Sequence, residues 1–320
     1  MTNPIDINRA VLIAGPTASG KSALALDLAE RLGGEIVNAD SMQVYSEMRV
    51  LTARPSEAEE ARVPHHLYGI TNAAAPLSAG RWAVLAAAAM RDIAGRGRLP
   101  IVVGGTGLYF RALAEGLAPV PQIPANIREE VRAEVAEAGP HAHALLAEAD
   151  PALAAGIRPS DRQRIARGIE VLRATGRPLS AWQQEPAEPL VTGRFARIVL
   201  APGREWLRER IGRRFDLMLA EGALVEAQAM AALLDEEGLD PALPAMKALG
   251  LRPLIAHLSG AISLEEAAEA GKKETRAYAK RQETWFRTQM ISWKAFSTQD
   301  SERLGGQIFS FIDDLGLTRF

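Results

Sequence analysis

The sequence contains no cysteine, no long hydrophobic run and no signal-peptide pattern. Without cysteine, the 320 residues cannot form a disulfide bond, a thiolate zinc site or a cysteine nucleophile. The longest apolar run near a helical pattern, Trp82–Met90, is far shorter than the ~20 residues that a membrane span needs. The N-terminal stretch MTNPIDINRAVLIAGP carries an acidic residue and no cleavage pattern. We therefore expect a cytoplasmic protein that makes no contact with a membrane.

The sequence also lacks a strong net charge. Its 37 basic and 39 acidic residues leave a formal charge of −2, whereas nucleic-acid-binding domains are often strongly basic. The distribution is uneven, however. Six arginines accompany two acidic residues in 158–177, and six basic residues accompany two acidic ones in 272–287. These two local excesses can attract a nucleic-acid backbone although the whole chain is slightly acidic.

Short apolar runs alternate with helical patterns in the first hundred residues. The length is about twice the ~150 residues usual for one domain, which suggests a large domain or a core with an insertion. Apolar runs at 10–14, 35–38 and 99–103 predict strands, and periodic apolar residues at 25–32 and 79–94 predict helices. This alternation is typical of an α/β fold with a parallel sheet and helices on both faces.

The pattern changes near Pro119. No strand is evident from there to Gln184, and the helical segments are rich in Ala, Glu and Arg; the next predicted strand is 195–200. The simplest account is a helical insertion in an α/β core. We therefore predict three parts, which are the first part of the core (1–117), the helical inserted domain (118–194), and the second part of the core with C-terminal helices (195–320).

One segment carries a phosphate-binding motif. GPTASGKS matches G-x-x-x-x-G-K-[ST] between a predicted strand and a predicted helix, and chance gives roughly 0.003 such matches per chain. Its glycines let backbone N–H groups face an anion, and the helix N-terminus adds positive potential. Lys21 is expected to contact phosphate oxygens and the Ser22 hydroxyl to bind Mg²⁺. The predicted diphosphate-binding residues are Gly15, Pro16, Thr17, Ala18, Ser19, Gly20, Lys21 and Ser22.

The motif indicates a bound polyphosphate without identifying it. A GTPase would carry an N-K-x-D element, which the sequence lacks. A kinase or ATPase would carry an apolar strand that ends in a Mg²⁺-binding aspartate, whereas the run IVVGG ends in glycines. A substrate whose phosphates leave without ATP chemistry is therefore favoured.

Four stretches together resemble the tRNA dimethylallyltransferase family, also called isopentenyl-tRNA transferases. They are GPTASGKS (15–22), NADSMQVY (38–45), VGGTGLYF (103–110) and TRAYAKRQETWFR (275–287), and LTARP (51–55), PHHL (64–67) and DRQRIARGIEVLRATG (161–176) match in order between them. Members transfer a dimethylallyl group from its diphosphate to the exocyclic N6 amine of the adenosine at position 37, next to the tRNA anticodon. The resemblance implies a P-loop NTPase-like core with a helical inserted domain. It also implies Mg²⁺ as cofactor and the anticodon stem-loop as partner.

The resemblance further implies three catalytic residues. Asp40 matches the general base of the family, which accepts the amine proton as the new C–N bond forms. Thr106 and Arg214 match residues that bind the diphosphate. From the residues alone, Asp40 is more simply explained as an aspartate that caps the turn after a strand.

The resemblance extends to tRNA contacts. Gln163, Arg164 and Arg167 share one face of a predicted helix. Its opposite face carries Ile165, Ile169 and Leu172, and from the residues alone an ordinary solvated amphipathic helix is the simpler explanation. We expect Ser160 and Gln163 to form a capping box there. Leu251 departs from the family, which usually has an aromatic residue at this place. The implied contacts are Asp40, Ser41, Met42, Gln43, Thr106, Arg128, Gln163, Arg164, Ile165, Ala166, Arg167, Lys247, Arg252, Arg276, Lys280 and Arg281.

Several alternatives stay open at this point. The chain could be an adenylate isopentenyltransferase that acts on free adenine nucleotides, a P-loop small-molecule kinase, or a tRNA-binding protein without catalysis. The two local basic excesses favour RNA over free nucleotides. The histidine pairs His65/His66 and His141/His143 lack a third metal ligand, so we predict structural or surface positions for them. We also predict core positions for Trp285 and Phe286, and a monomer.

Overall fold

Six strands form the central sheet of the computed structural model, which describes residues 4–236, 238–297 and 301–318. They are β1 (Ile5–Ala14), β2 (Gly34–Asn38), β3 (His65–His66), β4 (Leu99–Gly104), β5 (Val191–Leu200) and β6 (Lys294–Phe296). Their order is β3-β2-β4-β1-β5-β6, and every described pairing is parallel. The predicted parallel α/β core is confirmed.

The helices divide into those before, within and after a long insertion. The first group is α1 (Lys21–Leu32), α2 (Glu57–Arg62), α3 (Ala79–Gly95) and α4 (Gly107–Ala114). The inserted group is α5 (Ala125–Ala138), α6 (Ala142–Ala149), α7 (Pro151–Ala154), α8 (Arg162–Thr175) and α9 (Leu179–Trp182). The last group is α10 (Arg204–Ala220), α11 (Ala223–Asp235), α12 (Leu251–Leu258), α13 (Leu264–Gln289) and α14 (Ser301–Asp314). Short 3₁₀ turns lie at Gly139–His141 and Pro244–Lys247.

The sheet is buried on both faces, as the apolar run of β1 shows. Successive side chains of a strand point to opposite faces. Leu12 packs on one face with Trp82 of α3, whereas Val11 and Ile13 pack on the other with Leu28 of α1. Because both faces of this strand are buried, its sequence is a continuous apolar run rather than an alternating one.

The carboxyl ends of three strands meet at one edge of the sheet. Ala14 of β1 is in register with Gly104 of β4, and Asn38 of β2 is in register with Val103 of β4. The loops that follow these strands therefore begin side by side, which is where parallel α/β sheets bind ligands.

The inserted helices form a compact unit of their own, residues 115–189. Its core contains Val131, Leu146, Ile165 and Ile169. The helices α6 and α8 pack closely at Gly168, where a Cβ would lie 2.5 Å from Leu146. The chain leaves and rejoins the core at neighbouring points, because the N–H of Leu190 donates to the carbonyl of Leu113 at 3.0 Å.

The structure corrects the predicted boundaries and adds two strands. The insertion was expected to span 118–194, but residues 191–194 belong to β5, which begins well before the predicted 195–200. The first strand likewise begins at Ile5 rather than Ala10. The edge strands β3 and β6 were not predicted; they contain two and three residues, too few for a sequence pattern.

No single helix in the described ranges is long and apolar enough to cross a membrane. The helices α10 and α11 meet the length and composition criteria only as a pair, with a bend of 71° between them.

Candidate active site

The phosphate-binding loop runs from the end of β1 into the first turn of α1. Ala18 and Gly20 have positive φ angles of 63° and 90°, a conformation in which successive N–H groups can converge on an anion. Gly20 adopts this region without the penalty that a Cβ brings. Ser22 is exposed in the first turn of α1. The loop thus offers N–H groups and a hydroxyl to a phosphate.

Lys21 is a buried cation within this loop. The residue is only 8% exposed, and its ammonium group donates to the Pro16 carbonyl at 3.3 Å. Burial lowers the pKa of Lys21 to about 8, while the charge of Asp40 raises it and that of Arg214 lowers it. A bound diphosphate would supply negative charge that favours the protonated lysine.

Asp40 follows β2 and is held by Asn38. The Asp40 N–H donates to Asn38 Oδ1 at 2.8 Å, and Asn38 Nδ2 donates to the carbonyl of Asp40 at 3.1 Å. Asp40 Oδ1 accepts the N–H of Met42 at 3.0 Å, which is the turn-capping role expected from the residues alone. Within the described residues Oδ2 accepts no hydrogen bond. It lies so close to Gly105 that a Cβ atom added to this glycine would be 3.2 Å away. One carboxylate oxygen therefore fixes the turn and the other is available to a substrate.

Thr106, after β4, is adjacent to this turn. Its N–H donates to the Ala39 carbonyl at 3.1 Å, and its Oγ1 accepts the N–H of Ser41 at 2.9 Å. Tyr278 of α13 lines the same cavity as Asp40, and burial together with the charge of Asp40 raises the pKa of that tyrosine. Tyr278 is thus a neutral phenol beside the carboxylate.

Two arginines of α10 reach the phosphate loop. The Nε of Arg210 donates to the Ala18 carbonyl at 3.0 Å, and its guanidinium lies 4.6 Å from the Trp206 ring centre. Arg214 interacts electrostatically with Asp40 and Lys21, and burial lowers the pKa of Arg214. The prediction placed Arg214 here, whereas Arg210 was not singled out.

Two cavities open at this edge of the sheet. The larger, of ≈ 530 Å³, is lined by Lys21, Ser22 and Arg214 among others. The smaller, of ≈ 60 Å³, is lined by Asp40, Tyr278 and Arg214 together with apolar side chains. Ala18 and Arg214 line both cavities. An anion site and a carboxylate therefore open on adjoining spaces.

The predicted contacts near Asp40 are partly engaged within the protein. Met42 is half-buried and lines the smaller cavity. Gln43 Nε2 donates to the carbonyls of Thr52 and Ala53, at 2.9 and 2.7 Å. The amide hydrogens of Gln43 are therefore committed to the loop that contains the LTARP sequence.

The residues of the predicted stripe on α8 differ in exposure. Gln163 and Arg164 are exposed, but Ile165 is fully buried and Ala166 is 7% exposed in the core of the insertion. The side chains of these two residues therefore face the core, and the tRNA contacts that the resemblance implies at their positions stay a prediction. The predicted Ser160–Gln163 capping box is wrong, because the N-cap is Asp161, whose side chain accepts the Arg164 N–H at 3.2 Å.

Arg128 and Arg167 lie near one another in the insertion. The pKa of Arg167 is lowered by burial, and the charge of Arg128 contributes to the lowering, while Glu170 opposes it. Arg167 forms an ion pair with the buried Glu170 at 3.8 Å. Two of the predicted contacts from separate helices are thereby brought together.

The remaining predicted contacts lie on or near α12 and α13. Lys247, Arg252, Lys280 and Arg281 are exposed, and Arg276 is half-buried, 3.9 Å from Glu269. Leu251, where the family has an aromatic residue, is completely buried. Its side chain cannot contact RNA.

Three of the four histidines in the predicted pairs have partners within the protein, and His141 is exposed. His66 Nε2 lies 2.8 Å from Glu35, and His65 Nδ1 lies 2.9 Å from the Val63 carbonyl. His143 contacts two backbone carbonyls. Across the described ranges, no group of three or more His, Asp or Glu side chains is arranged for a metal ion. Phe286 is buried and Trp285 is half-buried against the core, as predicted.

Gln282 is a site residue that the sequence analysis did not identify. It is 5% exposed, and its side chain contacts both the phosphate loop and the loop before Thr106. Tyr278 was missed as well. Both lie in the TRAYAKRQETWFR stretch with a spacing of four, which places them on one helix face. That spacing was the available signal.

A parallel sheet with a phosphate loop after β1 and a carboxylate after β2, with β4 between these two strands, defines a P-loop group-transfer protein. Comparison with known proteins narrows this class. The IPP transferase family model matches residues 43–289, and the isopentenyl transferase model matches residues 8–68. The chain belongs to the IPP transferase family, among its bacterial tRNA dimethylallyltransferases.

Individual relatives agree over nearly the full length. A tRNA dimethylallyltransferase from Parvibaculum lavamentivorans is 78% identical over 319 residues, which cover 100% of both chains. A solved tRNA isopentenylpyrophosphate transferase from Bacillus halodurans is 34% identical, with a TM-score of 0.68 over 97% of this chain and 98% of that one. A eukaryotic dimethylallyltransferase described as acting on tRNA is 26% identical, with a TM-score of 0.79 over 96% of this chain and 80% of that one.

Proposed function

We propose that this chain transfers a dimethylallyl group from dimethylallyl diphosphate to N6 of the adenosine at tRNA position 37 and releases diphosphate. The observation that carries the proposal is the pair of adjoining cavities, with Lys21 on one, Asp40 on the other and Arg214 on both. Group transfer requires the leaving group and the base close together in a fixed geometry. The relatives support the same activity through their names.

The chemistry follows from the charges of these residues. As the allylic C–O bond breaks, negative charge develops on the departing diphosphate, and Lys21, Arg214 and the loop N–H groups stabilise it. The adenine nitrogen forms the new C–N bond. Asp40 accepts the proton that this nitrogen loses, and diphosphate leaves with the electrons of the C–O bond.

Mg²⁺ is the proposed cofactor. Ser22 lines the larger cavity beside Lys21, and a single hydroxyl suits an ion that keeps several waters and binds mainly to substrate phosphates. Ser22 and the diphosphate oxygens would hold the ion. When bound, it would neutralise charge on the leaving group.

RNA is favoured over a free nucleotide. The exposed cations Arg164, Lys280 and Arg281 are suited to phosphodiester groups. The target adenosine would leave the anticodon-loop stack to reach Asp40, as bases do in enzymes that modify them. Dimethylallyl diphosphate as donor, a monomeric state and a cytoplasmic location stay predictions.

A labelled-donor assay tests the proposal. Purified protein, Mg²⁺ and labelled dimethylallyl diphosphate are incubated with an unmodified anticodon stem-loop, with the same RNA carrying guanosine at position 37, or with AMP. Label is expected in N6-dimethylallyladenosine from the first RNA alone, with one diphosphate released per transfer. Transfer to AMP would instead support the free-nucleotide enzyme, and ATP phosphotransfer without the prenyl donor would support a kinase.

A further inference from the structure

The amide of Gln282 bridges two loops of the site. Its Oε1 accepts the N–H of Thr17 at 2.9 Å, and its Nε2 donates to the carbonyl of Gly105 at 2.8 Å. The residue lies in the interior of the 26-residue helix α13, so the helical hydrogen bonds hold its backbone in place. Both polar ends of the side chain are thus used, each on a different loop.

These loops have no shared strand pairing at this point. The register between β1 and β4 ends at Ala14 and Gly104, and the chain then diverges into the phosphate loop and the Thr106 loop. Gln282 supplies the next connection between them. The fit is close, because a Cβ on Gly105 would lie 2.2 Å from Gln282 Nε2.

We propose that Gln282 is a positioning residue that fixes the phosphate loop relative to the Thr106 loop, and hence the leaving group relative to Asp40. The inference rests on the proposed function. By accepting the Thr17 N–H, Gln282 holds this part of the phosphate loop in place. That N–H is then no longer one of the loop N–H groups that can donate to the diphosphate. By donating to Gly105, it holds the neighbouring Thr106, whose hydroxyl accepts the Ser41 N–H next to Asp40.

Two substitutions separate the two hydrogen bonds. Gln282→Met keeps the length of the side chain and loses both bonds. Gln282→Glu keeps an acceptor for Thr17 but, as a carboxylate, cannot donate to Gly105. The matched control is Gln289→Met, the same change at an exposed position of the same helix.

Single-turnover prenylation and RNA binding are measured for each variant. Because small displacements of reacting groups cost up to about 100-fold in rate, Gln282→Met is expected to lower the single-turnover rate ~10- to 100-fold. The dissociation constant for the anticodon stem-loop should change less than ~3-fold, and Gln289→Met should match the wild type. A near-wild-type rate in Gln282→Met, or an equal loss of rate and RNA affinity, would overturn the proposal.

Hydrogen exchange at the Thr17 amide gives a readout that does not depend on activity. The amide is expected to exchange at least ~10-fold faster in Gln282→Met than in the wild type, and to remain protected in Gln282→Glu, because only the first variant loses its acceptor. Unchanged exchange in Gln282→Met would refute the bridge. If the wild type fails to prenylate RNA, the proposed function fails, while this exchange measurement still decides whether Gln282 holds the loop.

Discussion

Gly104 lies so close to Ala39 that a Cβ atom on the glycine would be 2.0 Å from the Ala39 carbonyl oxygen. The same carbonyl accepts the N–H of Thr106, and the Ala39 N–H donates to the Val103 carbonyl. The backbones at the ends of β2 and β4 are therefore in contact just before Asp40 and Thr106. No side chain can be accommodated between them.

Gly104→Ala is expected to destabilise the protein by about 2 kcal/mol or more, since the added methyl must displace backbone atoms. Denaturant unfolding measures the change. Gly95→Ala is the matched control, because a Cβ there has no neighbour within 4 Å, and its stability should be unchanged or slightly higher. Equal stabilities for the two variants would contradict the proposed contact.

Asp40→Asn should reduce the prenyl-transfer rate by about 10²- to 10⁴-fold, because the amide cannot accept the amine proton. The change is nearly isosteric, and the amide oxygen can still accept the Met42 N–H, so the turn should persist. RNA affinity is expected to stay within ~3-fold of the wild type. A normal single-turnover rate in this variant would remove Asp40 from the role of base.

Lys21→Met should increase stability and abolish activity in the same protein. The folded-state pKa of about 8 lies below the ordinary 10.5, so the buried charge opposes folding below pH 8, and this cost disappears as the pH rises from about 8 to 10.5. In metal-free, ligand-free protein at pH 7, the variant should be more stable by on the order of 3 kcal/mol.

The pH dependence checks the cause of this difference. The difference in free energy of unfolding between Lys21→Met and the wild type should shrink between pH 8 and pH 10.5. Above about pH 8 the lysine of the folded protein is neutral, and the cost of removing its proton on folding falls until the unfolded chain is neutral as well. A variant that is less stable than the wild type at pH 7 would show that Lys21 contributes packing that outweighs its charge.

RNA binding should weaken steeply with salt, because each phosphate contact releases bound counterions. Lys280→Ala combined with Arg281→Ala should reduce the slope of log K against log salt by about 2, if each side chain contacts one phosphate. Arg91→Ala, at an exposed arginine of α3, should leave the slope unchanged. A flat salt dependence of the wild type would argue against a phosphate-backbone interface.

The α/β core was predictable because its strands and helices carry strong local signals. The run Val11–Ala14 is apolar, and α1 ends at Gly33, whose φ of 58° is the left-handed conformation that glycine favours at helix ends. The cap of α8 was misassigned by one residue because Ser160 and Asp161 are both good caps. Which of the two residues is the N-cap depends on where the backbone becomes helical, and the sequence does not fix that point.

The site was predictable where a motif fixes neighbouring residues and unpredictable where distant elements meet. Gly15–Ser22 is one continuous signal, whereas Gln282 acts on Thr17 from 265 positions away. On α8 the two kinds of signal differ. The resemblance marks consecutive residues, whereas the helical period separates them into two faces, and the structure agrees with the period by burying Ile165 and leaving Arg164 exposed.

The hydrogen bond between Leu190 and Leu113 has a consequence for how this chain could be altered. The two ends of the inserted unit leave the core one hydrogen bond apart, so a short turn can join them. The insertion is therefore a module, which a relative with a longer, shorter or different helical unit could replace while the sheet and its loops stay intact. Recombination at this pair of residues offers a route to exchange the helical unit, together with the RNA contacts proposed for Arg164, while the sheet is kept.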